Sequence, residues 1–287
     1  MTSSASLPSR KPLVGASLKM YFDPLKTKSY IESLIPLGVL AQSLGIEIFV
    51  IPDFLSIPLA QQLLNLPPTL PPSSSSSSAP TSTPTDTTTT SSSASVSLGA
   101  QDCFWSDSGP YTGEISPLHL SHFGVKFVEL GHAERRRLFF ENDDTVALKA
   151  QAVCKNGMVP LVCIGELLNN GIEAAVDEVR PQIESLLAAI PGDAEVVLAY
   201  EPVWAIGKPE PAGAEYVVGV TKRLREIAEG FLVGGTEKRT GEVRILYGGS
   251  AGPGLFEKLK DGVDGLFLGR FGHDVANFEA VMRELVL

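Results

Sequence analysis

A chain of 287 residues, 44% of them hydrophobic, is long enough to bury one substantial core, and a barrel of alternating strands and helices commonly occupies that length as a single domain. The formal net charge of −10 excludes a broad nucleic-acid or acidic-membrane surface, because both need clustered Lys and Arg against phosphates; any anionic ligand has to be met locally. Cys103, Cys154 and Cys163 stand apart without a CxxC pair, the opening MTSSASLPSRK lacks the apolar stretch of a secretory signal, and no run approaches the roughly 18 apolar residues of a membrane span, so a soluble cytoplasmic protein with reduced thiols is expected.

In chain order, residues 1–11 read as a flexible tail, and 12–287 as one domain. Short apolar, β-branched runs predict eight strands: PLVGAS, IEIFVIP, VSLGAQ, VKFVEL, MVPLVCIG, EVVLAY, EVRILYGG and DGLFLG. Between them, TKSYIESLIPLGVLAQSLG, TVALKAQAVCKNG, GIEAAVDEVRPQIESLLAAI and GAEYVVGVTKRLREIAEG repeat apolar residues at three- and four-residue intervals, which predicts helices. The alternation points to a closed parallel (β/α)8 barrel, with an open doubly wound sheet as the competitor. Residues 66–95, rich in Ser, Thr and Pro, interrupt the pattern between the second helix and the third strand. With almost no apolar side chains to offset the entropy of ordering, this insert is expected to be disordered and to leave the barrel at the rim opposite the chemistry.

The carboxyl ends of the strands carry the chemistry. Strand one ends in Ser17 and Lys19, strand four in GHAERR with His132 opening a helix, and strand six in YEPVWAIG with Glu201. Strand seven ends in YGGSAGPG and strand eight in LGRFG. In a closed parallel barrel these groups converge on one rim. Glycine-rich turns there offer main-chain N–H groups to a phosphate without a metal, and Lys19 adds a point charge. A lone carboxylate shielded from water serves as a general base, and an imidazole at a helix start stays neutral and can donate to a carbonyl. His119 and His122, three apart with no third ligand nearby, do not form a metal site, and neither metal nor cofactor is expected.

GHAERR, VCIGE, AYEPVWAIG and YGGS, in this order, resemble the motifs of the triosephosphate isomerase family over nearly the whole chain outside the tail and the insert. That family is itself the reference case of a neutral histidine acting as electrophile beside a glutamate base. The resemblance implies a metal-free, cofactor-free homodimer that acts as an aldose-ketose isomerase of small phosphosugars through an enediol(ate), in glycolysis and gluconeogenesis. By position, Lys19 resembles the substrate-binding cation, His132 the electrophile and Glu201 the base. Ser17, Gly207, Ser250, Gly269 and Arg270 resemble the substrate and phosphate contacts, and Pro202, Val203, Trp204, Ala205, Ile206 and Gly207 the start of a closing lid. Glu134, Glu166 and Tyr247 resemble supporting residues, the two carboxylates holding Lys19 and neighbouring Arg side chains. The loop GAQDCFWSDSGPYTGE resembles the family's dimer loop, whose Thr112 would reach the partner subunit's site.

Several positions depart from the family pattern. Ser17 replaces an Asn and leaves room near the substrate, and Ala133 replaces a Ser. The usual second Gly after strand eight is Arg270, strained if that position needs positive φ, and Pro209 stiffens the lid. Ser17, the Gly269-Arg270 pair and WSDSGPYTGEISP are similar to the divergent branch of the family that acts on erythrulose phosphate. Triose phosphate is the default reading and the four-carbon ketose phosphate its alternative. A non-catalytic barrel scaffold is the alternative from another class, and the retention of Lys19, His132 and Glu201 speaks against it.

Overall fold

The computed structural model describes residues 10–66, 95–208 and 210–286. Residues 1–9 of the tail, nearly all of the Ser/Thr/Pro insert, Pro209 and Leu287 lie outside the described residues. Eight parallel strands close into a barrel: β1 (Leu13–Ser17), β2 (Glu47–Ile51), β3 (Ser97–Ala100), β4 (Val125–Leu130), β5 (Val159–Ile164), β6 (Val196–Tyr200), β7 (Val243–Tyr247) and β8 (Gly265–Leu268). Each strand pairs with its neighbours in chain order, and β8 returns to β1 with Leu13 opposite Gly265. All eight strands coincide, to within a few residues at either end, with the runs read from sequence.

Helices α1 (Pro24–Ser43), α2 (Ile57–Leu63), α3 (Pro117–His122), α4 (Ala133–Phe139), α5 (Asp143–Lys155), α6 (Ile172–Ala189), α7 (Ala214–Gly230), α8 (Phe256–Leu259) and α9 (Val275–Glu284) clothe the barrel. Local chemistry fixes their starts: Asp23 accepts the Lys26 N–H at 2.8 Å ahead of Pro24, and Asn142 and Thr145 exchange bonds as a capping box on α5. An antiparallel pair, Leu232–Val233 with Glu237–Lys238, is added between α7 and β7 and was not anticipated. Gly234 and Gly235, both at positive φ, turn it.

Alternation along the strands sends every second residue into the lumen. Phe49, Phe127 and Phe267 fill its middle, with ring centroids 5.1 and 5.7 Å from Phe49. Gly15 makes room for them, since a Cβ there would stand 2.4 Å from the Phe49 ring. Below this layer, at the amino ends of the strands, the buried guanidinium of Arg244 is bridged by Glu47 at 2.8 Å and by Glu195. Above it, the lumen-facing positions at the carboxyl ends are Ser17, Glu129 and Glu201, all buried.

Candidate active site

A cavity of about 660 Å³ opens at the carboxyl ends of the strands. It is lined by Ser17, Lys19, His132, Glu134, Glu201, Ile206, Gly207, Ser250, Gly269 and Arg270, so residues distant in the chain meet at the rim as expected. Glu129, Lys208 and His273 also line it and were not anticipated. Glu129 was legible in principle: it lies two residues past lumen-facing Phe127 on β4, so alternation alone turns it inward.

Glu201 follows β6 directly and its N–H donates to the Ile164 carbonyl at 2.8 Å. Its carboxylate faces Gly248 of the next strand, where a Cβ would come within 2.4 Å of Oε1; only glycine leaves that space. Burial pushes the Glu201 carboxyl up to about 8, the charge of Glu129 adds to this, and Lys19 opposes it.

His132 caps α4: its Nδ1 accepts the Glu134 N–H at 3.1 Å. A neutral ring so held carries its proton on Nε2, which stands 3.3 Å from Glu201 Oε2. Burial, helped by Lys19, lowers the His132 pKa to about 4. The contact is therefore a neutral imidazole beside a carboxyl and not an ion pair.

Lys19 sits just past β1 with φ 47, a left-handed conformation that costs a non-glycine residue energy and here aims the ammonium into the cavity. Its Nζ donates to Glu134 Oε1 at 2.9 Å. Burial opposes the ammonium charge, but Glu134, Glu201 and Glu129 outweigh it and the pKa is raised. Glu134 thus holds Lys19 as expected.

Among the described residues Glu166 holds no Lys or Arg, contrary to expectation. Its fully buried carboxylate accepts from Trp204 Nε1 at 2.7 Å, Tyr216 at 2.8 Å and Tyr200 at 3.0 Å, and its carbonyl takes the Val203 N–H at 2.9 Å. It pins the segment after β6, of which Pro202, Val203, Trp204 and Ala205 lie outside the cavity. At the far end of that segment the Tyr247 hydroxyl accepts the Ala212 N–H at 3.1 Å, and between them Ser250 Oγ donates to the Lys208 carbonyl at 2.8 Å. The segment after β6 is therefore fastened to β7 and the turn that follows it.

Arg270 begins a short 3-10 turn, Arg270–His273, and is not among the residues at positive φ; the strain anticipated there does not arise. The N–H groups of Gly207 and Ser250 donate to no main-chain carbonyl among the described residues, and Arg270 brings an exposed guanidinium to the same side. Thr112 is exposed on the loop before α3, away from its own chain's cavity.

The triosephosphate isomerase family model matches residues 72–285. The chain belongs to the triosephosphate isomerase family. It is 38% identical to the L-erythrulose-1-phosphate isomerase of Pectobacterium atrosepticum over 96% of both chains, and 44% identical to that of Rhizobium etli over 64% of this chain and 69% of the relative. The triosephosphate isomerase of Thermoanaerobacter pseudethanolicus is 34% identical over 91% of this chain and 94% of the relative. As a family member the protein is a phosphosugar isomerase. Among the described residues no helix is long and apolar enough to cross a membrane.

Proposed function

We propose that the protein isomerises a four-carbon ketose phosphate, L-erythrulose 1-phosphate, through an enediolate formed and quenched by Glu201. The likeness over nearly the full length to an L-erythrulose-1-phosphate isomerase carries the choice of substrate. The departure of Ser17 from the usual Asn supports it, because a shorter side chain leaves space for one more carbon.

In this substrate C1 bears the phosphate ester and C2 the carbonyl, so a productive carbonyl shift can run only toward C3. Ionised Glu201 takes the C3 proton, and the C3–H electrons form the C2–C3 double bond. The charge passes to the C2 oxygen, met by the Nε2–H of His132 and the Lys19 ammonium. Glu201 returns the proton to C2, His132 hands its Nε2 proton to the C2 oxygen and recovers one from the C3 hydroxyl, and the carbonyl reforms at C3. The product is erythrulose 4-phosphate when numbered from the other end, so the reaction interconverts two ketoses and not an aldose with a ketose.

Gly207, Ser250, Gly269 and Arg270 cradle the phosphate through main-chain N–H groups. Two subunits pair through the loop before α3, where Trp105 and Tyr111 expose 42% of their surface each and Thr112 faces outward. A second reading, interconversion of triose phosphates, is favoured by the likeness to the T. pseudethanolicus enzyme and uses the same residues. The deciding measurement is kcat/KM on L-erythrulose 1-phosphate against dihydroxyacetone phosphate. Preference for the four-carbon substrate by a hundredfold or more is expected; preference for the triose would replace the first reading by the second.

A further inference from the structure

The proton transfer described above uses one buried carboxylate, yet the cavity holds two. Glu129 on β4 is 3% exposed and lines the cavity floor. Among the described residues its one hydrogen-bond partner is Ser17, whose hydroxyl donates to Oε2 at 2.8 Å across the lumen. Taking a carboxyl group out of water costs several kcal/mol unless partners replace the lost hydration, and a single hydroxyl replaces little of it. The remaining hydrogen-bonding capacity is open to whatever enters the cavity.

The barrel order determines what part of a ligand arrives there. In the closed ring β4 stands diametrically opposite β8, and the glycine-rich turns follow β7 and β8. A sugar ester anchored there by its phosphate extends across the mouth, past Glu201 on β6, toward β4. Its reacting carbons lie by Glu201, His132 and Lys19, and what lies beyond them meets the Ser17 and Glu129 pair. A three-carbon phosphate ends at the reacting carbons. A four-carbon one has a terminal hydroxymethyl group left over.

We infer that Ser17 and Glu129 form the seat of that terminal hydroxymethyl group, Glu129 pairing with its hydroxyl, and that this pair sets the preference of the enzyme for four carbons over three. The inference rests on the tetrulose phosphate reading. Burial pushes the Glu129 carboxyl up to about 7 against the Ser17 bond and the Lys19 charge, so both its forms are populated near neutrality and either can pair with a hydroxyl. A site built to bond a hydroxyl discriminates strongly against an analogue that lacks it, because the polar group is then buried unpaired.

The test is kcat and KM for the wild-type dimer, Glu129→Gln, Glu129→Leu and Ser17→Ala on L-erythrulose 1-phosphate and on dihydroxyacetone phosphate. The ratio of the two kcat/KM values should fall about 100-fold in Glu129→Leu, less in Glu129→Gln, whose amide still bonds a hydroxyl, and least in Ser17→Ala. The loss should fall mainly on KM for the longer substrate. A ratio unmoved in the Glu129 variants, or equal losses on both substrates, overturns the inference. Should the leucine variant not fold, the near-isosteric glutamine variant decides. A wild-type enzyme that prefers the triose overturns the functional reading and the inference with it, whereas a wild-type preference for the tetrulose with an unmoved ratio overturns the inference alone.

Discussion

The two halves of the cavity rim are built from different materials. On the β7 and β8 side the contacts are main chain: Gly207, Ser250 and Gly269 offer N–H groups, with Arg270 at the edge. On the β1 and β4 side they are ionisable side chains, Lys19, Glu129, His132 and Glu134, each set by burial and by its neighbours. In the proposed reaction the first half holds the phosphate, and substitution of side chains there should change little as long as the main chain keeps its course. In the proposed reaction the second half, with Glu201 of β6 beside it, meets the part of the substrate that varies and reacts, so specificity and rate should be concentrated there.

That contrast can be broken by experiment. The largest effect is expected from Glu201→Gln, which removes the proposed base: kcat should fall by about 10³- to 10⁴-fold with the fold intact. The same variant tests the electrostatics. Because the folded-state pKa of Glu201 is raised from the ordinary 4.5 to about 8, its contribution to stability is complete below about pH 4.5 and is lost as pH rises through about 8. The variant should therefore melt higher than wild type at pH 9, and a lower melting temperature there would refute the assignment of a buried, protonated carboxyl.

Lys19→Ala comes next, with kcat/KM down by about 10²-fold or more as the cation facing the enediolate and the phosphate is lost. In the unmodified enzyme kcat/KM should climb about tenfold per pH unit up to about 8 and then level, since only ionised Glu201 accepts a proton while His132, at about 4, stays neutral throughout. A profile flat from pH 6 to 9 would contradict this. Trp204→Phe deletes one of the donors to Glu166 and should cost about 1 to 3 kcal/mol of hinge stability, seen as a lower melting temperature with a few-fold loss of kcat. The smallest effect belongs to the other half: Arg270→Ala keeps its N–H and should change kcat/KM by about threefold at most, so a hundredfold loss would erase the distinction between main-chain and side-chain walls.

Much of this was readable before any coordinates. The eight strands declare themselves through short β-branched runs, and Lys19, His132 and Glu201 through their places at strand ends, where parallel closure must gather them. What escaped needed distances or attention to the strand interior. Glu129 lies inside β4 and not at its end, so only strand alternation marks it. The partners of Glu166 were misassigned because nothing in the chain tells that Tyr200, Trp204 and Tyr216 reach a carboxylate that charge alone would give to an Arg. The strain expected at Arg270 depended on a dihedral angle, and the structure gives that residue an ordinary start to a tight turn. The hairpin before β7 is signalled by Gly234-Gly235, but its strands are too short to carry a period.

The three phenylalanine rings in the middle of the barrel have a consequence of their own. They stand between two charged storeys, the Arg244 cluster beneath and the cavity's ionisable groups above. Apolar rings make a poor path for charge, so protons and ions should reach the cup by its mouth. Whatever alters the ionic foundation should register in the melting curve and leave the titration of the upper chamber as it was.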